Sequence, residues 1–158
     1  MYWAKPDIGA DEFGTAVADA GLIEFITPVV PFPAGTNPVK VAVLNNATQA
    51  LENVQIKWEV NGIVQTPFNW TGSIAPGEKL TVEIGSFNFD FNDAHSIKAW
   101  SSLPNGQVDE NAENDTISTE SIYAAMAGVY TIGGSNPSFD SIVHAVEALQ
   151  MRGVSDHV

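Results

Sequence analysis

Cysteine is absent from this chain, which excludes a disulfide framework, a thiolate metal site and a cysteine nucleophile. The absence does not fix the compartment, because exported domains with a large enough core fold without disulfides. Basic residues are scarce: Lys+Arg number 6 against 19 Asp+Glu, a net charge of −13. A surface of that sign repels phosphate backbones and anionic membranes, so nucleic acid is excluded as a partner, while divalent cations are welcome. No stretch approaches the ~20 apolar residues of a spanning helix, and no membrane insertion is expected. The opening MYWAKPDIGADEFG has neither a basic n-region nor an apolar h-region and is no signal peptide. A cytoplasmic protein or a piece of a longer exported one remains, and features at both ends favour the piece.

Catalytic patterns are missing too. His95, His144 and His157 are scattered without the spacing of metal ligands. No G-x-S-x-G elbow occurs; Gly133-Gly134-Ser135 precedes a helix without that pattern. No pair of carboxylates sits among aromatics as in a glycosidase cleft. The sequence therefore predicts a protein that is not an enzyme and requires no cofactor.

What is present is a core. Hydrophobic residues make up 44% of the chain, enough to exclude wholesale disorder. Val39, Val41 and Val43, then Ile56, Trp58 and Val60, fall at every second position. That period buries one face of each strand and leaves Lys40, Gln55, Lys57 and Glu59 to water. Asn61-Gly62 is a type I′ hairpin turn, and Pro76-Gly77 fits a type II turn. Strands are expected at Gly21–Thr27, 38–45, 53–61, 63–70, Leu80–Ile84, Ser96–Ser102 and Asp115–Tyr123. Pro28, Pro31 and Pro33 put the first at an edge. Phe87, Phe89 and Phe91 predict a half-buried crossing between sheets. About seven strands in roughly 100 residues make an all-β, immunoglobulin-like β-sandwich with Trp58 as its core tryptophan.

After Tyr123 the pattern changes. Ala124–Gly128 is a small-residue connector, Val129–Ile132 a short strand, and Ser135-Asn136-Pro137-Ser138 announces a helix. Phe139, Ile142, Val143, Val146 and Leu149 make an apolar stripe that ends at the capping Gly153. This C-terminal amphipathic helix either packs on the sandwich or pairs with a second copy in a homodimer. The chain is expected to divide into a loop-like tail of a preceding module (1–18), the sandwich (19–123), and a strand plus helix that start a following module (124–158).

Two features could bind something. Asp109, Asn111, Glu113 and Asp115 alternate in a polar loop and offer oxygen ligands that suit calcium. Glu120 falls where an EF-hand places its twelfth residue, but strand geometry carries it roughly 16 Å from Asp115, and no helix flanks the loop. The alternative is a solvated hairpin loop with Asn and Asp serving turn geometry. Trp70 and Trp100 are the second candidate, as stacking platforms for a glycan. Their competing role is to cover the ends of the sandwich or a neighbouring module.

Residues 36–116 resemble the CARDB-like family, the cell-adhesion-related immunoglobulin-like domains of bacterial surface and secreted proteins. The resemblance rests on VKVAVLNN (Val39–Asn46), IKWEVNG (Ile56–Gly62), QTPFNWTG (Gln65–Gly72), APGEK (Ala75–Lys79) and IKAWSSLPNGQVDENAENDT (Ile97–Thr116). Pro6–Phe13 is similar to the closing segment of right-handed β-helix domains, and Gly128–Ser155 to the opening strand and capping helix of another. The resemblance implies a non-catalytic spacer or adhesion module of an exported multidomain protein, extracellular or on the cell surface. Its partners would be neighbouring domains of the same polypeptide and a glycan or cell-surface ligand. A carbohydrate-binding or calcium-dependent module, or an accessory domain of an extracellular enzyme, is the alternative.

Overall fold

The computed structural model describes residues 16–156. Eight strands run in the order β1 (Ala20–Thr27), β2 (Gly35–Asn45), β3 (Leu51–Val60), β4 (Ile63–Val64), β5 (Phe68–Ile74), β6 (Lys79–Phe89), β7 (His95–Ser102) and β8 (Thr116–Ile122), before the helix α1 (Ile142–Arg152). They form an all-β sandwich of two antiparallel sheets. One has the order β1-β2-β6; the other has the order β4-β3-β7-β8, with β5 also paired to β3. The first strand lies at an edge, as its prolines predict.

Alternation along β2, β3 and β7 delivers the core. Val39, Val41 and Val43 face Ile56, Trp58 and Val60, with Ile97 and Ala99 completing the layer. Burying one such Val or Ile contributes roughly 1.5–3 kcal/mol. Trp58 is 3% exposed, and its indole Nε1 donates to the Thr66 carbonyl at 3.1 Å. Across the layer, a Cβ at Gly85 would lie 2.6 Å from Trp58 Cζ2. The indole therefore rests directly on the β6 backbone, where only glycine leaves room.

Where the strands depart from expectation, the causes are local. The strand predicted over 63–70 is broken between β4 and β5. Pro67 has no N–H for the ladder, and the Thr66 carbonyl is taken by Trp58. The crossing predicted at Phe87–Phe91 does not occur. Lys79–Phe89 is one strand paired with β2 from Leu44↔Lys79 to Gly35↔Phe89. Its register shifts by one between Glu83↔Lys40 and Gly85↔Val39, a β-bulge at Ile84. Inward parity therefore passes from even positions, Val82 and Ile84, to odd ones, Phe87 and Phe89. The broken alternation marks a bulge, not a change of sheet.

The C-terminal segment docks on the end of the sandwich. Val129–Ile132 forms no strand; Ile132 makes one parallel bridge to Phe139, and Met126 another to Val154. Ser138 is not in the helix. Its N–H donates to Thr131 Oγ1 at 3.0 Å, which folds 131–139 into a tight loop. The helix begins only after Ser141, whose Oγ caps the His144 N–H. Gly153 is the C-cap, with φ 67°, as the sequence predicts. Arg152 anchors this end: its guanidinium lies 4.4 Å from the Phe91 ring centroid and 4.7 Å from that of Tyr123, and it donates to the Phe91 carbonyl. Ala145 is buried, while Ile142 and Val143 remain 62% and 58% exposed.

Candidate functional site

The acidic loop between β7 and β8 is tied to the start of β1. Ser101 lies inward on β7, and its Oγ donates to the Ala20 carbonyl and, at 3.3 Å, to Asp115 Oδ1. Asp109 uses both oxygens: Oδ2 accepts the Ala20 N–H at 2.9 Å, and Oδ1 accepts the Asn111 N–H at 2.9 Å in an Asx turn. Glu110 Oε1 accepts the Val17 and Ala18 N–H groups at 2.9 and 3.2 Å. Buried Asp19 accepts from the Asn46 and Asn114 side-chain amides at 3.2 and 2.9 Å. Side chains of β7 and of the loop thus clasp the chain around 17–20, where it enters the sandwich.

Of the four predicted calcium ligands, Asp109 and Asp115 are brought together on one small concavity, close enough for the Asp109 carboxylate to act on Asp115. Asn111 and Glu113 are exposed. Among the described residues, no group of three or more His, Asp or Glu side chains is arranged to hold a metal ion. Burial, the Asp109 charge, the Asp109 hydrogen bond and the Asp19 charge together raise the Asp115 pKa from 3.8 to about 6, against a smaller lowering by Ser101. Crowded carboxylates of this kind favour a shared proton. Asp19 and Glu110 are the residues that sequence reasoning missed. The contacts of Glu110 to Val17 and of Asp19 to Asn114 span 93 and 95 positions, and no local pattern announces them.

The two candidate tryptophans do not form one platform. Trp70 pairs across strands with inward Val54 and packs against the core. Trp100 pairs with outward Lys57 on one side and Thr116 on the other. Residues directly opposite across strands share a face, so the two indoles project from opposite faces of one sheet. Around Trp100 the outer face carries Lys98, whose Nζ is 5.6 Å from the ring centroid. It also carries Gln55, whose amide donates to Asn69 Oδ1 at 3.0 Å.

His95 begins β7 and is buried, with ring contacts to Phe87 and Phe89. Its Nε2 is 3.1 Å from the Asp90 carbonyl, which makes it a structural histidine. His144 is exposed on α1, and His157 lies outside the described residues. A concavity of about 420 Å³ between the free edges of β1 and β8 is lined by Ile23, Phe25, Val30, Ile117 and Ile122, among others. Glu24 is the one titratable group at its wall.

No family model matches the chain, and no curated protein does. Solved structures do. A domain from Methanosarcina acetivorans, provisionally described as part of a cell surface protein, superposes with a TM-score of 0.57 at 17% identity, over 72% of this chain and 97% of that one. The CARDB domain of a Pyrococcus furiosus protein, crystallised with di-metal ions, gives 0.49 at 21% identity, over 68% and 96%. The same domain in solution gives 0.48 at 20% identity, over 68% and 97%. The first of these likenesses establishes the shared fold. The β-helix likeness of residues 6–13 lies outside the described residues.

Proposed function

We propose that this chain is a non-catalytic spacer or adhesion module of an exported, multidomain surface protein. One observation carries the reading: the chain enters and leaves the sandwich at opposite ends. Residues 16–19 are held at the end formed by Thr48, Glu110 and Asn114. At the other end β8 finishes beside His95, and the Ala125 N–H donates to the Phe32 carbonyl at 2.7 Å. Seven residues of β8 at about 3.3 Å each separate the two by over ~20 Å. A module threaded in this way sets the distance between whatever precedes and follows it. Both junctions are stiffened, one by the carboxylate clasp and the other by Arg152.

Similarity of fold to a domain described as part of a cell surface protein supports placement outside the cell. The exposed stripe of α1 supports a neighbouring module as its partner. Fluorophores attached through Val17→Cys and Gly128→Cys test the spacer role by single-molecule energy transfer. A single narrow distance distribution is expected, unchanged by ligand. A broad distribution, or turnover of an offered polysaccharide, would overturn the assignment.

A further inference from the structure

We infer that the outer face of the five-stranded sheet, centred on Trp100, binds a saccharide carrying carboxylate groups. This goes beyond the spacer role and stands without it. A single indole stands on this face beside Lys57, directly across the ladder, and Lys98, two residues back on its own strand, whose Nζ lies 5.6 Å from the ring centroid. In a chain with 6 cations and a net charge of −13, that pairing is the feature needing an explanation. Lys40 is paired with Glu83 at 3.4 Å, and Arg152 is packed on Phe91 and Tyr123. Lys57 and Lys98, unlike exposed Lys79 at the start of β6, stand together on one face around one aromatic ring.

Each part of the site matches part of a uronate polymer. The indole offers an apolar plane of the size of a pyranose ring, whose C–H face stacks on aromatics through the same charge distribution that draws cations there. Lys57 is placed to meet the carboxylate of a residue seated on Trp100. Gln55 and Asn69, already hydrogen-bonded to one another, form the next row and suit sugar hydroxyls. Lys98 over the ring is no obstacle, because it is exposed, and a carboxylate is a stronger partner for it than the ring. Glu59 stands opposite Lys98 and repels an anion at that end, which directs the carboxylate to the Lys57 side. A nucleic acid would also meet the lysines, but the charge of the whole chain opposes a long polyanion more than a short oligosaccharide seated on one ring.

Calorimetry with an oligogalacturonate and with its methyl-esterified form tests the proposal, since the two differ chiefly in the charge. Binding of the acid is expected, with the ester about tenfold weaker, as loss of one charge-assisted contact implies. Trp100→Ala should abolish binding, Lys57→Gln should weaken the acid toward the ester, and Trp70→Phe should change neither. The Lys57→Gln variant stands on a solvent face, so its result holds even if Trp100→Ala disturbs folding. Equal affinity for acid and ester, undiminished binding by Lys57→Gln, or no heat at millimolar acid would each overturn it.

Discussion

Replacing Asp115 by Asn should make the folded chain more stable at neutral pH. The carboxyl is held against Asp109 with Asp19 close by, and its pKa in the fold is about 6 against 3.8 for the free side chain. The sign follows from which state holds the proton. Below about pH 4 both states are protonated at this site, and the fold keeps its full contribution from a neutral carboxyl partly buried beside Asp109. As pH rises through 6, the folded state must surrender a proton that the unfolded chain has already lost, so that contribution disappears. Unscreened, the difference would be about 3 kcal/mol; the group is partly exposed, and screening by water leaves about 1 kcal/mol. The substituted amide would keep the shape of the carboxyl, place an N–H against Asp109 and carry no charge. A gain of about 1 kcal/mol at pH 7 follows, which is roughly 3 °C in Tm for a chain of this size. Urea unfolding of both proteins from pH 4 to pH 8 is the assay. General repulsion among the other acidic residues is common to both, so the difference curve isolates Asp115: near zero at acid pH, opening between 4 and 6. A variant less stable at pH 7, or a difference curve flat with pH, would refute the shared-proton account of the clasp.

Gly85→Ala puts a methyl 2.6 Å from Trp58 Cζ2 and should cost about 2–3 kcal/mol through displacement of the indole, read as lost cooperativity and a shifted Trp emission; a wild-type midpoint would mean that the ring has room. Arg152→Ala removes both ring contacts and the bond to Phe91, at about 1–2 kcal/mol. Amide exchange should rise in α1 but not in β2 or β3; uniform protection would show that the helix is held by something else. Calcium at Asp109, Asn111, Glu113 and Asp115 is tested by thermal melts: a site there would make millimolar calcium raise the midpoint of the wild type and leave Asp115→Asn unmoved. An unchanged wild-type midpoint removes calcium from the account of this loop.

How much was legible in the sequence depended on the range of the interaction that fixes each feature. Alternation about Trp58, the Asn61-Gly62 turn and the Pro76-Gly77 turn are decided within a few residues, and all appear as read: φ is positive at Asn61, Gly62 and Gly77. The clasp was illegible because Asp19 and Glu110 are ordinary acidic residues until folding brings β1 beside the β7–β8 loop. Asn45 was equally silent. It is wholly buried, and its amide donates to the Gln49 and Ile74 carbonyls while its Oδ1 accepts the Ala47 N–H. In sequence it is one of two adjacent asparagines before a turn.

Phe87–Phe91 shows a third kind of misreading, in which the signal was present but carried two meanings. A break in a period of two accompanies either a strand that changes sheet or one that stays and takes an extra residue. Gly85 held the answer, since a glycine inside a strand marks a bulge or a close backbone approach, and here it marks both. Because the bulge sits where Trp58 crosses from the other sheet, the tryptophan that organises the core and the residue that breaks the pattern are two sides of one contact. The same parity rule separates Trp70 from Trp100. Counted along β5 and β7 alone they are two exposed aromatics; counted through their partners Val54 and Lys57 they face opposite ways. Cross-strand register, which no single strand contains, separates the two rings: Trp70 joins the core, and Trp100 stands on the outer face with Lys57 and Lys98.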